Sequence, residues 1–158
     1  MAKKKTLIAY FSCSGRTKAR AGEIQGLVQG DLVEIKPKKA YSKEDLNWKD
    51  KESRSSLEMA DPKSRPEVEA LEKKIKDYDR LLIGFPIWWG VAPHAILSVL
   101  DQEDLGQVEI YPFASSGASP IEPAVENLKG MYGDKVNIKE GRLFNTEVTK
   151  EDLEGWLE

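Results

Sequence analysis

The residues best suited to chemistry fall in three short clusters, each placed directly after an apolar run. The first, Ser12-Cys13-Ser14-Gly15-Arg16-Thr17, follows Leu7-Ile8-Ala9-Tyr10-Phe11 and opens a segment of helical periodicity. A buried strand that hands over to a helix through a short polar loop leaves the helix's unpaired N–H groups and positive dipole end facing that loop, where an anion can sit. Ser12, Ser14 and Thr17 add hydroxyls, Gly15 permits a positive φ or a close approach to a ligand, and Arg16 adds a charge that can reach a phosphate. The cluster reads as a phosphate cradle; plain helix capping by Ser and Thr is the competing reading. No Lys-Ser or Lys-Thr pair follows a second glycine and no run of three spaced glycines occurs, which argues against a nucleoside triphosphate.

The second cluster, Pro86-Ile87-Trp88-Trp89-Gly90, ends the run Leu81-Leu82-Ile83-Gly84-Phe85, and the third, Ser115-Ser116-Gly117-Ala118, ends Val108 to Phe113. Two adjacent tryptophans on a loop are costly to expose unless something flat covers one of them. The alternative is that one folds back into the core or against another segment. Two single residues also invite a chemical role. Cys13 sits at a helix start, which by itself lowers a thiol pKa, but a bound phosphate would oppose that, so it reads as a spacer offering its peptide N–H. His94 opens a helix after Pro93 near the tryptophans; a proton shuttle is one role and a surface helix-start residue the preferred one. No cluster of Cys and His suggests a metal.

Positioning these clusters requires a sizeable core. With 158 residues and 40% hydrophobic content, the chain is expected to form one domain over 1–158 that buries about two-thirds of its unfolded surface. The net charge is −3, with Lys and Arg scattered among Asp and Glu, so no basic face for nucleic acid is expected. Lys3, Lys4 and Lys5 read as a frayed solubilising end. The apolar run behind them is too short for a signal peptide or a membrane span, and a lone cysteine suits a reducing cytoplasm.

Alternation of apolar runs and helical periodicity predicts five strands and five helices, hence right-handed crossovers and a three-layer α/β sandwich. The first helix carries Ala21, Ile24, Leu27 and Val28 and ends at Gly30; Asp31 to Ile35 follows as an edge strand closed by Pro37. From Lys38 to Arg65 the chain is polar, with Tyr41, Leu46, Trp48, Leu57 and Met59 as its apolar anchors. So long an irregular connection is expected to be a lid or disordered, partly docked by Trp48 and Tyr41. Pro66 then starts a second helix bearing Val68, Leu71, Ile75 and Tyr78. A third begins at Ala92-Pro93-His94. A fourth starts from the capping box Ser119-Pro120-Ile121-Glu122 and stops at Gly130. Val136, Ile138, Leu143 and Phe144 form a fifth strand interrupted by Gly141, and Thr149 with Asp152 caps a final helix.

Ser-x-Ser-Gly-x-Thr after a first strand resembles the FMN-phosphate loop of flavodoxins, with Arg16 where that family usually shows Asn. Together with Gly84-Phe85-Pro86-Ile87-Trp88-Trp89-Gly90 and Phe113-x-Ser115-Ser116-Gly117, it makes the whole chain similar to bacterial flavodoxin-like FMN proteins. In the third loop Ala118 and Pro120 stand where the family usually has glycines. The resemblance implies a five-stranded parallel sheet in the order 2-1-3-4-5, with the ligand at the carboxyl ends of the strands. It implies FMN held by Ser12 to Thr17 at its phosphate, by Pro86 to Gly90 at its ring and by Ser115 to Ala118 at its pyrimidine edge, with Trp88 or Trp89 stacked on the isoalloxazine. The implied function is an electron carrier that serves a redox partner protein or a small-molecule acceptor. The alternative is an FMN oxidoreductase acting on a small quinone-like or aromatic substrate under a lid formed by 38–65. A scaffold that has lost its cofactor is disfavoured by the retained Ser, Thr and Trp positions.

Overall fold

The structure is a computed structural model that describes residues 4–117 and 119–157. Ala118, assigned above to the third cluster, and Lys3 of the basic run lie outside the described residues. Lys4 and Lys5 are tied down rather than frayed: the Lys4 ammonium pairs with Glu109 at 2.8 Å, and the Lys5 N–H donates to the Asp79 carboxylate at 2.6 Å.

Three long apolar runs form the sheet. Strands β1 (Thr6–Tyr10), β3 (Arg80–Pro86) and β4 (Glu109–Ser115) lie side by side and parallel, with β2 (Asp31–Glu34) on the outer edge of β1. The fifth position is filled by two short pieces, β5 (Asn137–Ile138) and β6 (Arg142–Leu143), both parallel to β4. The order is therefore β2-β1-β3-β4-β5, as the resemblance implies, and the expected break near Gly141 is real. Because side chains alternate across a strand, each run serves two cores at once. Ile8, Tyr10, Leu82, Tyr111 and Phe113 face helix α1 (Arg16–Val28) and the C-terminal helix α5 (Lys150–Leu157) through Ala21, Ile24, Leu153 and Trp156. Leu7, Ala9, Phe11, Leu81, Ile83, Phe85 and Ile110 face α3 (His94–Gln102) and α4 (Glu122–Tyr132). The cap of α5 is reciprocal, as expected: the Thr149 N–H donates to Asp152 and the Asp152 N–H donates back to the Thr149 hydroxyl.

Three expectations are corrected. No helix spans 66–78. Val68 instead forms an antiparallel bridge with Pro37, flanked by Lys38 N–H to Glu67 carbonyl at 2.9 Å and Glu69 N–H to Lys36 carbonyl at 2.8 Å. Ile75 lies on a single 3₁₀ turn, Ile75–Asp77. The apolar spacing at 68, 71, 75 and 78 fits a helix, but pairing of the two ends of the connection at the sheet edge outweighs that local preference. Second, the connection is neither structureless nor disordered. It contains α2 (Arg54–Ala60), capped by the Ser53 hydroxyl, and is knit together by Arg54. This guanidinium lies 3.8 Å from the centre of the Tyr41 ring, donates to Glu58 at 3.0 Å and bonds the carbonyls of Lys39 and Ala40. Third, Ser119 does not cap α4; its N–H donates to the Ser116 hydroxyl. The helix also runs past Gly130 to Tyr132, whose buried ring and hydroxyl, bonded to Asp101 at 2.7 Å, hold the last turn in place. Among the described residues no helix is long and apolar enough to cross a membrane.

Candidate functional site

The three clusters lie at the carboxyl ends of β1, β3 and β4, and because those strands are parallel and adjacent they share one edge of the sheet. After β1 the chain reaches Gly15, which serves as the N-cap of α1 at φ 91°. A glycine offers no side-chain oxygen, so the cap is bare, and no acidic residue lies in the first turn. The nearby hydroxyls fold back onto the loop instead: Gly15 N–H donates to Ser12 at 3.1 Å and Arg16 N–H donates to Ser14 at 3.4 Å. Cys13, Ser14, Gly15 and Arg16 are exposed, and among the described residues Arg16 makes no ion pair. The helix end thus presents positive charge and exchangeable hydroxyls to solvent, the arrangement that suits an anion.

Thr17 is different. It is 2% exposed, and its hydroxyl is bonded to that of Ser115 at 2.9 Å. This contact fastens the first cluster to the third beneath the loop surface, so Thr17 braces the site where the sequence suggested a free donor. The third cluster is itself held from behind: Ser115 carbonyl accepts from Ile87 N–H at 3.1 Å and Ser116 N–H donates to the Asn145 side chain at 2.9 Å.

The second cluster divides its tryptophans. Trp88 and Val91 exchange both backbone hydrogen bonds, 2.9 and 3.0 Å, around a two-residue turn in which Trp89 (φ 50°) and Gly90 (φ 81°) are both left-handed. That is a type I′ hairpin turn, which accepts Gly90 readily and strains Trp89. Trp88 turns inward and forms an edge-to-face triangle with Phe11 and Tyr41, with centroids 5.6 and 5.5 Å away. Trp89 stays 50% exposed. A large aromatic held half in water by a strained turn is the kind of outlier that marks a binding site.

Beside these tryptophans is a pocket of about 410 Å³, lined by Cys13 and Ser14 of the first cluster, by Pro86 to Trp89, and by Leu46, Trp48 and Ser55 of the connection. Trp48 is 68% exposed. The structure therefore brings Cys13 and Ser14 of the first cluster and Pro86 to Trp89 of the second into one cavity, keeps the described residues of the third, Ser115 to Gly117, out of its lining, and adds a wall from the connection. Leu46 and Trp48 were visible as isolated apolar anchors; Ser55 carried no signal, because nothing local marks a serine as pocket-facing. A second recess of about 400 Å³ shares Cys13 and includes Phe11, Glu34, Lys36 and Tyr41.

Both titratable residues singled out above have shifted pKa values. Desolvation of its sulfur pushes the Cys13 thiol up to about 11, against the pull of Arg54, so it stays protonated at neutral pH. His94 is buried and not a surface residue. Its Nδ1 lies 2.7 Å from the Ser64 hydroxyl, which gives its single proton to the Glu58 carbonyl at 2.7 Å, so Nδ1 carries the hydrogen. Burial, and then Arg65, lower its pKa. His94 is the latch that fastens the connection to α3.

A family model described as Flavodoxin matches residues 5–158. The chain belongs to the flavodoxin family. Among solved structures of similar fold, a candidate flavoprotein from Bacteroides eggerthii DSM 20697 is 42% identical, with 98% of this chain and 96% of that one covered and a TM-score of 0.93. A second from Bacteroides uniformis ATCC 8492 is 40% identical, with 99% of each chain covered and a TM-score of 0.90. A flavoprotein from Lactobacillus acidophilus NCFM, solved in complex with FMN, is 26% identical, with 98% of this chain and 99% of that one covered and a TM-score of 0.77. No curated protein matches the chain. Flavodoxin-family membership agrees with the sheet order, and it gives the bare helix cap and the tryptophan pocket a common interpretation.

Proposed function

We propose that this flavodoxin binds FMN and carries electrons between redox partners in the cytoplasm. The observation that carries the reading is that Cys13 and Ser14 of the anion loop line the same pocket as Trp88 and Trp89, so a phosphate end and a flat aromatic end can belong to one molecule. The residues present fit such a group. The N-cap of α1 lacks any side-chain oxygen, and the Arg16 N–H is met only by the exposed Ser14 hydroxyl at 3.4 Å, so the first turn can offer its N–H groups to a phosphate, with the Arg16 side chain beside them. The pocket walls are largely apolar, and Trp89 is free to stack. When bound, the flavin supplies reversible electron transfer. The chain's own residues would hold and shield it: Trp88, backed by Phe11 and Tyr41, and the exposed Trp89 and Trp48 would flank the ring, and Thr17 with Ser115 keeps the loops in register.

A second reading, an FMN oxidoreductase acting on a small quinone-like or aromatic acceptor, is favoured by the wall that Leu46, Trp48 and Ser55 raise around the pocket. The test starts with flavin fluorescence during titration of the purified protein with FMN, which should be quenched at one equivalent. Absence of quenching and of any bound flavin would overturn the reading. Steady-state turnover of a small quinone by the loaded protein at enzymatic rates would replace the carrier by the oxidoreductase.

A further inference from the structure

One residue of the pocket lining carries a polar group that no described residue uses. Ser55 lies on α2, is 2% exposed, and lines the pocket together with Leu46 and Trp48. Its backbone N–H is satisfied by the Asp45 carbonyl at 2.9 Å, and its neighbours Ser53 and Ser56 bond each other at 2.9 Å. The Ser55 Oγ, shielded from water, has no hydrogen-bond partner among the described residues. Buried hydroxyls are almost always paired, because an unpaired one forfeits its hydration with nothing in return. The helix carrying it is held by the Ser53 cap and the Arg54–Glu58 pair, so the hydroxyl does not relax by local unravelling. The freedom left to Oγ is rotation about χ1 between staggered wells.

Resting on the FMN reading above, we propose that Ser55 is a flavin-binding residue whose hydroxyl donates a hydrogen bond to a polar atom of the ring system. Its pocket neighbours on the connection, Leu46 and Trp48, are apolar and suit a ring, while Cys13 and Ser14 furnish the phosphate end. The connection between β2 and β3 is then part of the binding site and not merely a cover. A donor at N1 or a carbonyl oxygen of the ring, where negative charge accumulates on reduction, favours the reduced flavin, so a hydroxyl placed there raises the midpoint potential.

The test compares wild type, Ser55→Ala and Ser55→Thr in titrations with FMN, riboflavin and lumiflavin, alongside urea unfolding of the flavin-free proteins. Loss of one net hydrogen bond weakens binding by about threefold to tenfold. Ser55→Ala should show that loss equally for all three flavins and a more negative midpoint potential with FMN, and Ser55→Thr should restore both. Flavin-free Ser55→Ala should be as stable as wild type or more so, since it deletes an unpaired buried hydroxyl. Three results would overturn the proposal: unchanged affinity for every flavin, a loss confined to FMN and riboflavin that places the contact on the ribityl chain, or a flavin-free Ser55→Ala that is clearly destabilised. Failure of the wild type to bind any flavin would instead remove the FMN reading itself, and the proposal with it.

Discussion

Replacing Trp88 and Trp89 by alanine, one at a time, should separate folding from ligand binding. Trp88 packs edge-to-face on Phe11 at 5.6 Å and on Tyr41 at 5.5 Å. Two such contacts contribute about 1–3 kcal/mol together, beyond area burial. Aromatic-to-alanine changes in cores cost about 3–5 kcal/mol, and because Trp88 is only half-buried the lower end applies, about 3 kcal/mol. At about 2–4 °C per kcal/mol for a chain of this size, Tm should fall by about 6–12 °C. Trp89, 50% exposed, loses little on truncation, and alanine at its positive φ is strained much as tryptophan is. Its stability should change by less than about 0.5 kcal/mol. Its FMN affinity should fall about 5- to 30-fold, the equivalent of 1–2 kcal/mol of lost ring contact. Thermal and urea unfolding of the flavin-free variants gives the first quantity, and FMN fluorescence titration the second. A Trp88→Ala protein as stable as wild type, or a Trp89→Ala protein that binds FMN normally, would refute the division of roles between the two rings.

A Cβ at Gly84 would lie 2.2 Å from the Phe113 ring, so Gly84→Ala should cost about 3 kcal/mol or more, read as a lowered urea midpoint. Arg16→Ala should weaken FMN several-fold while leaving riboflavin nearly unchanged in titration calorimetry; equal losses for both would displace the phosphate from the α1 end. His94 has its pKa lowered by burial and then by Arg65, so the unfolded chain binds a proton near pH 6.5 that the folded chain refuses. The stability this confers is complete above that pH and is lost as pH falls through the window between the unfolded and folded values. The urea midpoint should therefore drop between pH 7 and pH 5, and His94→Gln should flatten that slope.

The apolar runs at Leu7 to Phe11, Leu81 to Phe85 and Val108 to Phe113 were sufficient to read the three inner strands, because an uninterrupted run of strand-forming residues has few other uses than a doubly covered sheet position. From those runs it followed that Ser12 to Thr17, Pro86 to Gly90 and Ser115 onward share one edge, since parallel strands put all their carboxyl ends on the same side. The capping pair at Thr149 and Asp152 was equally legible, being a contact over three residues. What the sequence left open depended on partners far along the chain. Val68 pairs with Pro37 and so is extended, although its spacing with Leu71 and Ile75 is helical. Thr17 spends its hydroxyl on Ser115 and His94 its Nδ1 on Ser64, contacts of 98 and 30 residues' separation that turn an apparent ligand donor and an apparent surface histidine into fastenings. Trp88 and Trp89 are identical and adjacent, and only the Phe11–Tyr41 notch decides which of them goes inside. Ser55 became visible only once the connection folded against the pocket, because an unpaired hydroxyl is a property of a three-dimensional environment and has no local pattern to announce it.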